Sequence, residues 1–537
     1  MSAQCMSFLL RGIDALPCEV EVRASGHGLP GIMVVGLPDA AVRESIERVR
    51  QAISASGISP PRHRTVVNLA PAGLRKEGPV FDLPIALGLV AACASPPCPW
   101  AAQLSRCVVA GELALDGRLR GVRGVVSAAL LARSLGRAIV VPTENVDDAQ
   151  LVSGVNVVGA ESLQHVLSML VAAGAQGTLQ RTPVPVRGAS RAGRTVCTAS
   201  RVAGHRDAGD AGVGVADEGA GAEDARAGAP RAPDFAHIRG QSGAKEAMLC
   251  ASAGGHNVLM RGPPGCGKTM LARALAGILP PLDDDEALEV LQIASCAGVP
   301  RPERGRRPFR APHHGATAAS IVGGGPSGRL GEISLAHRGV LFLDEWPEFR
   351  RDVLESLREP LEEGVVRVAR ADGLVEWPAC VTLVAAMNPE DSPWPGSRAR
   401  REGSPAILDR IDIHVEVRRV RPAELTRGGG SSQSALTSAQ MLERVMAARA
   451  RQRRRQGACI NALLTPGQLD EVGAFEPGAR ECLSRCLAEG SMSARGYDRV
   501  RRVARTAADL DGSDRVREEH VQRAIAWRRE EEVGCRG

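Results

Sequence analysis

"RGPPGCGKTM", residues 261–270, decides the fold of everything around it. Gly262, Pro263, Pro264, Gly265, Cys266, Gly267, Lys268 and Thr269 satisfy G-x-x-x-x-G-K-[ST] in full. A short apolar run, NVLM (257–260), leads in, and an apolar-periodic stretch, 270–279, leads out. Strand, glycine loop and helix in that order form a phosphate cradle, because glycines let backbone N–H groups close around anionic oxygens at a helix N-terminus. Lys268 adds a point charge for the β- and γ-phosphates, and the Thr269 hydroxyl can ligate Mg2+. A chance glycine turn would not carry these flanks. ATP and Mg2+ are the expected ligands.

Further along, GVLFLDE (339–345) delivers Asp344 and Glu345 to the C-terminal end of an apolar strand, where α/β sheets bind ligands. Asp344 is expected to hold Mg2+ through water, and Glu345 to orient and deprotonate the attacking water. Two acids at a strand end can also cap a helix, but behind a complete phosphate loop the chemical role is the better reading. CVTLVAAMNP (380–389) ends the next strand in Asn388, whose amide can position the same water; Asn before Pro is also an ordinary turn signal.

The chain has 537 residues, 44% hydrophobic and 24% charged, enough for several cores. Aromatics are only 2%, which weighs against a base-stacking platform for single strands. A net charge of +6 allows a polyanionic partner without requiring one. The 14 cysteines show no C-x-x-C and no metal spacing, and Cys482 and Cys486, one helical turn apart, read as packing. The apolar run 6–10 is too short for a signal sequence and nothing reaches transmembrane length, so a soluble cytoplasmic protein is expected, with no membrane partner.

From 181 to 230 there is no Leu, Ile, Met or aromatic residue. Such a stretch cannot bury enough apolar surface to offset chain entropy, and it predicts a disordered linker. Before it, GIMVVGL (31–37) predicts a buried strand. The helix that follows carries Val42, Ile46, Val49 and Ile53 on one face and stops at Gly57. RTVVNLAP (64–71) and AIVVP (138–142) predict further strands, and 81–94 and 125–135 predict helices: an α/β block on a mixed sheet. After RGGGSSQS (427–434), amphipathic periodicity near 441–456, 478–488, 494–510 and 517–529 predicts an all-helical domain.

Taken with AILDRIDIHVEV (406–417), SARGYDR (493–499), DFAHIRGQ (234–241), PFRAPHHGA (308–316) and GEISLAHRGVLFLDE (331–345), the chain resembles the magnesium-chelatase-like AAA+ ATPases of the ComM/YifB type. The resemblance covers nearly the whole chain outside the linker. It implies an AAA+ P-loop core at 234–426, a C-terminal helical lid at 427–537, and a ring, usually a hexamer, with ATP bound between subunits. It implies that Arg410 is an arginine finger reaching a neighbour's γ-phosphate and that Arg495 senses the nucleotide; either alone would pass for a solvated surface cation. It makes VVRVARADGLVEWP (365–378) a hairpin before the sensor strand, with Arg367 and Arg370 facing the pore. The chain departs from the family in the short segment after Asn388 and in the long linker, 175–233.

Residues 1–174 resemble the Lon-type protease domain. KEGPVFDLP (76–84) stands where that family has K-D-G-P-S-A, so the nucleophilic serine falls at Val80, and the activating lysine falls at about Val126. Neither valine can attack a carbonyl or accept a proton, so no Ser–Lys chemistry is expected. Lys76 and Ser127 lie nearby in sequence but not at those positions. A dead protease fold used for assembly, or for binding a protein partner, is the implied role.

Three destinations for the ATP energy follow. The resemblance implies a DNA motor, in that family a branch-migration activity that helps incoming DNA integrate during natural transformation. Support in the residues is Arg367 and Arg370, and the helix ERVMAARARQRRRQ (443–456), where Arg453, Arg454 and Arg455 can follow a phosphate backbone or simply form a solvated face. A protein remodeller without DNA activity is the second. A chelatase-type subunit is the third, and the chain shows no integrin-like or porphyrin-handling block.

Overall fold

A computed structural model describes residues 2–25, 31–61, 63–94, 96–176, 179, 182, 232–303, 305–325, 328–370, 373–388, 408, 410–420, 436–489 and 492–528, with the side chains of 175, 176 and 370 excepted. Nearly all of the expected linker at 175–233, the break at 427–434 and the segment 389–407 lie outside the described residues. The chain divides into two compact units, Met1–Leu9 with Ala15–Pro230 and Leu10–Asp14 with Arg231–Gly537.

The first unit contains β1 (Ser2–Arg11) and β2 (Asp14–Ala24), except for their residues 10, 11 and 14, with β3 (Gly31–Val35), β4 (Arg64–Ala70), β5 (Cys107–Val109), β6 (Glu112–Leu113), β7 (Leu119–Arg120), β8 (Ala138–Pro142) and β9 (Val157–Ala160). Seven form one sheet in the order β3-β4-β2-β1-β5-β8-β9, while β6 and β7 pair separately. The β2–β4 pair is antiparallel, while the β3–β4, β1–β5, β5–β8 and β8–β9 pairs are parallel, so the sheet is mixed. The apolar run at 6–10 sits inside β1, where Phe8 and Leu9 are buried. In the helix Ala40–Ala55, Asp39 caps the start by accepting from the Val42 N–H at 2.7 Å, and Val42, Val49 and Ile53 form the buried face.

One expectation fails here. GIMVVGL is not a buried strand: β3 lies at the edge of the sheet, and Met33, Val35 and Leu37 are 49%, 38% and 58% exposed. Alternate side chains of a strand face opposite sides, so Ile32 and Val34 pack on the core while the other row does not. A short apolar run does not distinguish a strand covered on two faces from one covered on one.

The second unit contains β10 (Val258–Arg261), β11 (Phe309–Arg310), β12 (Gly323–Gly324), β13 (Arg329–Leu330), β14 (Val340–Leu343), β15 (Val365–Arg370), β16 (Gly373–Pro378), β17 (Thr382–Met387) and β18 (Ile413–Glu416). Five make a parallel sheet in the order β11-β14-β17-β10-β18. The inner strands β14 and β17 read as nearly unbroken apolar runs because both faces are covered. Val258, Met260, Phe342, Val384 and Val415 join one core, and Leu259, Leu341, Leu343 and Leu383 another. The stretch 365–378 forms an antiparallel hairpin of β15 and β16.

Between 436 and 528 the regular elements among the described residues are helices: Ser438–Gln456, Pro466–Val472, Pro477–Ala488, Ala494–Leu510 and Glu518–Ala526, with a short 3-10 turn at Asn461–Leu463. Their apolar stripes, through Val445, Leu483, Val503 and Val521, share the core of Val258 and Met260. A polar network is buried beside it. His256 lies 3.1 Å from Asp412 Oδ2 through Nδ1 and 2.8 Å from Thr506 Oγ1 through Nε2. Asn461 donates to Thr506 Oγ1 and Asp509 Oδ2 at 3.0 and 2.8 Å. Asp509 Oδ1 accepts from both Arg455 and Arg505, at 2.7 and 2.9 Å. No helix among the described residues is long and apolar enough to cross a membrane.

Candidate active site

The phosphate loop leaves the C-terminal end of β10 and enters the helix Lys268–Ile278. Gly265 and Gly267 have φ of +75° and +97°, a region side chains rarely adopt, so the loop takes this tight curl only because these are glycines. Gly262 is needed for a different reason: a Cβ there would lie 2.1 Å from the Val417 carbonyl oxygen. The Lys268 ammonium donates to Gly262 O at 2.6 Å, Pro263 O at 3.2 Å and Asn388 Oδ1 at 3.0 Å. Asn388 reaches it because β17, which it terminates, lies directly beside β10.

On the far side of β17, β14 brings Asp344 and Glu345 to the same end of the sheet. The Thr269 hydroxyl donates to Asp344 Oδ2 at 2.9 Å. Two convergent oxygen donors, one a carboxylate, are the donor set that suits a hard cation bound together with phosphates and water, so the residues fit Mg2+. Pro263, Pro264 and Cys266 shape the loop, with Cys266 buried beneath it.

Glu345 has φ of +51°. A non-glycine residue there costs about 1–2 kcal/mol, and such strain persists where the surroundings over-determine a functional side chain. One of those surroundings went unnoticed in the sequence: His314 Nδ1 lies 3.2 Å from Glu345 Oε2, and the His313 ring is 4.1 Å from that of His314. The signal was the histidine pair in PFRAPHHGA, just after β11, the strand beside β14.

The remaining candidates do not join this cluster. β18 runs parallel to β10 with Ile413 opposite Val258, and Arg410 precedes β18. Arg410 therefore sits at the N-terminal end of the sheet and the phosphate loop at the C-terminal end, a strand of about 13 Å between them. Its guanidinium is buried and paired with Glu362. Arg495 is exposed in the first turn of Ala494–Leu510, whose cap is Ser493. Arg367 pairs with Glu359 at 3.1 Å, with Glu376 at 2.8 Å and with Glu363. Arg370 ends β15, and its side chain lies outside the described residues. Arg453 and Arg454 are exposed, whereas Arg455 is committed to Asp509 and Asn461.

In the first unit, Val80 is in the turn Pro79–Phe81 and Val126 is buried in the helix Val125–Ser134. Lys76 and Ser127 are both enclosed, with the Lys76 ammonium donating to the Pro71 carbonyl and burial pulling its pKa below the usual lysine value.

Comparison of the sequence with known proteins points to one family. Residues 234–425 match "Magnesium chelatase, subunit ChlI", residues 20–145 match "Subunit ChlI of Mg-chelatase", and residues 435–528 match "Magnesium chelatase, subunit ChlI C-terminal". The chain is 38% identical to the Escherichia coli protein YifB over 531 residues, 96% of this chain and 95% of that one. It is 36% identical to the competence protein ComM of Haemophilus influenzae over 530 residues, again 96% and 95%. A partial likeness, 27% over 213 residues, reaches the magnesium-chelatase 67 kDa subunit of Heliobacterium mobile, covering 34% of this chain and 30% of that one. With three matched segments and near full-length relatives, the chain belongs to the magnesium-chelatase-like proteins of the ComM/YifB type.

Proposed function

We propose that this chain is an ATP-hydrolysing, ring-forming AAA+ motor that acts on DNA as a branch-migration helicase during natural transformation. Family membership suggests ATPase activity. The observation that supports it most directly is the convergence of Lys268, Asn388, Thr269 and Asp344 at adjoining strand ends. Lys268 and the loop amides hold the triphosphate, Glu345 takes a proton from the attacking water, and Asn388 orients that water. Thr269 and Asp344 would hold Mg2+, which when bound neutralises phosphate charge. Arg410 and Arg495 complete the site, Arg410 in trans from the next subunit of a ring, a hexamer in our reading. In this scheme 1–174 is the Lon-like domain, 175–233 a linker, 234–426 the ATPase core and 427–537 the lid, and the protein works in the cytoplasm. The DNA assignment draws on the relative named as a competence protein.

If DNA is the track, ATP turnover should rise on adding DNA, more with three- or four-way junctions than with blunt duplex. Binding should weaken steeply with salt as counterions compete for the phosphates. Changing Arg367 and Arg370 together to Ala should lower DNA stimulation several-fold and spare basal turnover. One observation favours the other reading, a protein remodeller recruited through the Lon-like domain: Arg367 is already neutralised by three carboxylates. Failure of every DNA form to bind at low salt, with stimulation by a protein client instead, would hand the function to the remodeller.

No peptidase activity is expected, because valines stand at both positions the chemistry needs and both Lys76 and Ser127 are buried. An assay with casein and ATP should show cleavage no faster than a Lys268→Ala control. Cleavage that tracks the wild-type protein through purification would overturn this.

A further inference from the structure

We propose that Glu362 is a positioning residue that holds Arg410 back until a neighbouring subunit's nucleotide displaces it. This rests on the assignment of Arg410 as the residue that completes the next subunit's site.

The helix Arg358–Glu363 carries Glu359, Glu362 and Glu363 at i, i+3 and i+4, so the three carboxylates share one face. They are divided between two cations. Glu359 and Glu363 pair with Arg367 of the β15–β16 hairpin, and Glu362 pairs with Arg410. The helix is anchored at its end, where Gly364 N–H donates to Pro360 O at 2.9 Å and Gly364 O accepts from Ala379 N–H at 2.7 Å.

The backbone at Arg410 is fixed as well. Its carbonyl accepts from Asn257 Nδ2 at 3.1 Å, and the next carbonyl, of Ile411, accepts from Arg499 and Arg528, each at 3.1 Å. With both backbones held, the side chains are what can move. The Arg410 side chain is 7% exposed and that of Glu362 55%. In this arrangement the guanidinium is charge-neutralised and covered, the reverse of what an arginine offered to another subunit needs. A γ-phosphate carries more charge than one carboxylate and takes a guanidinium's N–H fork equally well. A docked neighbour with bound ATP therefore competes for the guanidinium, which stays parked for most of the time in the ring and throughout in an isolated chain. Hydrolysis becomes conditional on assembly.

The test is steady-state ATP turnover of the full chain at concentrations where subunits assemble. Glu362→Gln keeps the shape and removes the charge, and should raise kcat roughly fivefold with KM unchanged, the ratio expected for a partly exposed ion pair. Glu362→Asp should fall back toward the parent rate. Glu362→Gln combined with Arg410→Ala should be as slow as Arg410→Ala alone. An unchanged or lowered kcat in Glu362→Gln overturns the proposal, as does a gain that survives loss of Arg410. Arg410→Ala tested alone reports on the underlying assignment: full activity there removes the finger, and the parking role with it, whereas an inactive Arg410→Ala beside an unaltered Glu362→Gln removes only the parking role.

Discussion

Glutamine at position 345 should slow ATP turnover by about a thousandfold while ATP remains bound, the middle of the range for losing a general base. The amide matches the carboxylate in shape and keeps the left-handed backbone at φ +51°, so the site stays assembled and only the proton acceptor is lost. Lys268→Ala should fail one step earlier. Its ammonium already lies against the loop carbonyls and Asn388, where it would meet phosphate in the ground state, and without it nucleotide binding itself should collapse. Fluorescent-nucleotide titration and single-turnover hydrolysis on both variants separate the two failures. Normal turnover in either, or loss of binding in Glu345→Gln with binding retained in Lys268→Ala, would refute the assignment.

Arg410→Ala should leave ATP affinity nearly intact and reduce hydrolysis by about a thousandfold, as expected for an arginine supplied across an interface. Affinity survives because Arg410 lies at the opposite end of its own sheet from its own loop. Mixed with Glu345→Gln, it should recover activity. A Glu345→Gln subunit still donates its arginine to the intact site of an Arg410→Ala neighbour. Turnover per chain that neither depends on concentration nor responds to mixing would rule out a shared site.

The phosphate loop could be read from sequence because its chemistry is local: glycine conformations, one lysine and one hydroxyl within eight residues. Asp344 and Asn388 were legible because strand ends are where such groups collect. Their adjacency was not, since it depends on the strand order β14-β17-β10. The contacts of His314 with Glu345 and Glu362 with Arg410 span 31 and 48 residues, and no periodicity encodes such distances. Helix periodicity found the long C-terminal helices but could not say which arginines of 443–456 face water. Arg444, Arg453 and Arg454 do, whereas Arg455 turns inward to Asp509. The edge position of β3 was hidden for the same reason: coverage belongs to neighbours, not to the run itself.

Asp509 is shared by Arg455 and Arg505, with Asn461 on its second oxygen. Losing that one carboxylate removes the ion-pair partner of the enclosed Arg505, which keeps only backbone carbonyls, and of the half-buried Arg455, and losing either arginine leaves the buried carboxylate undercompensated, changes that are destabilising when made singly. Sequence drift through this spot therefore has no gentle first step. Lineages can cross it only by exchanging the partners together, so descendants should inherit positions 455, 505 and 509 as a single unit.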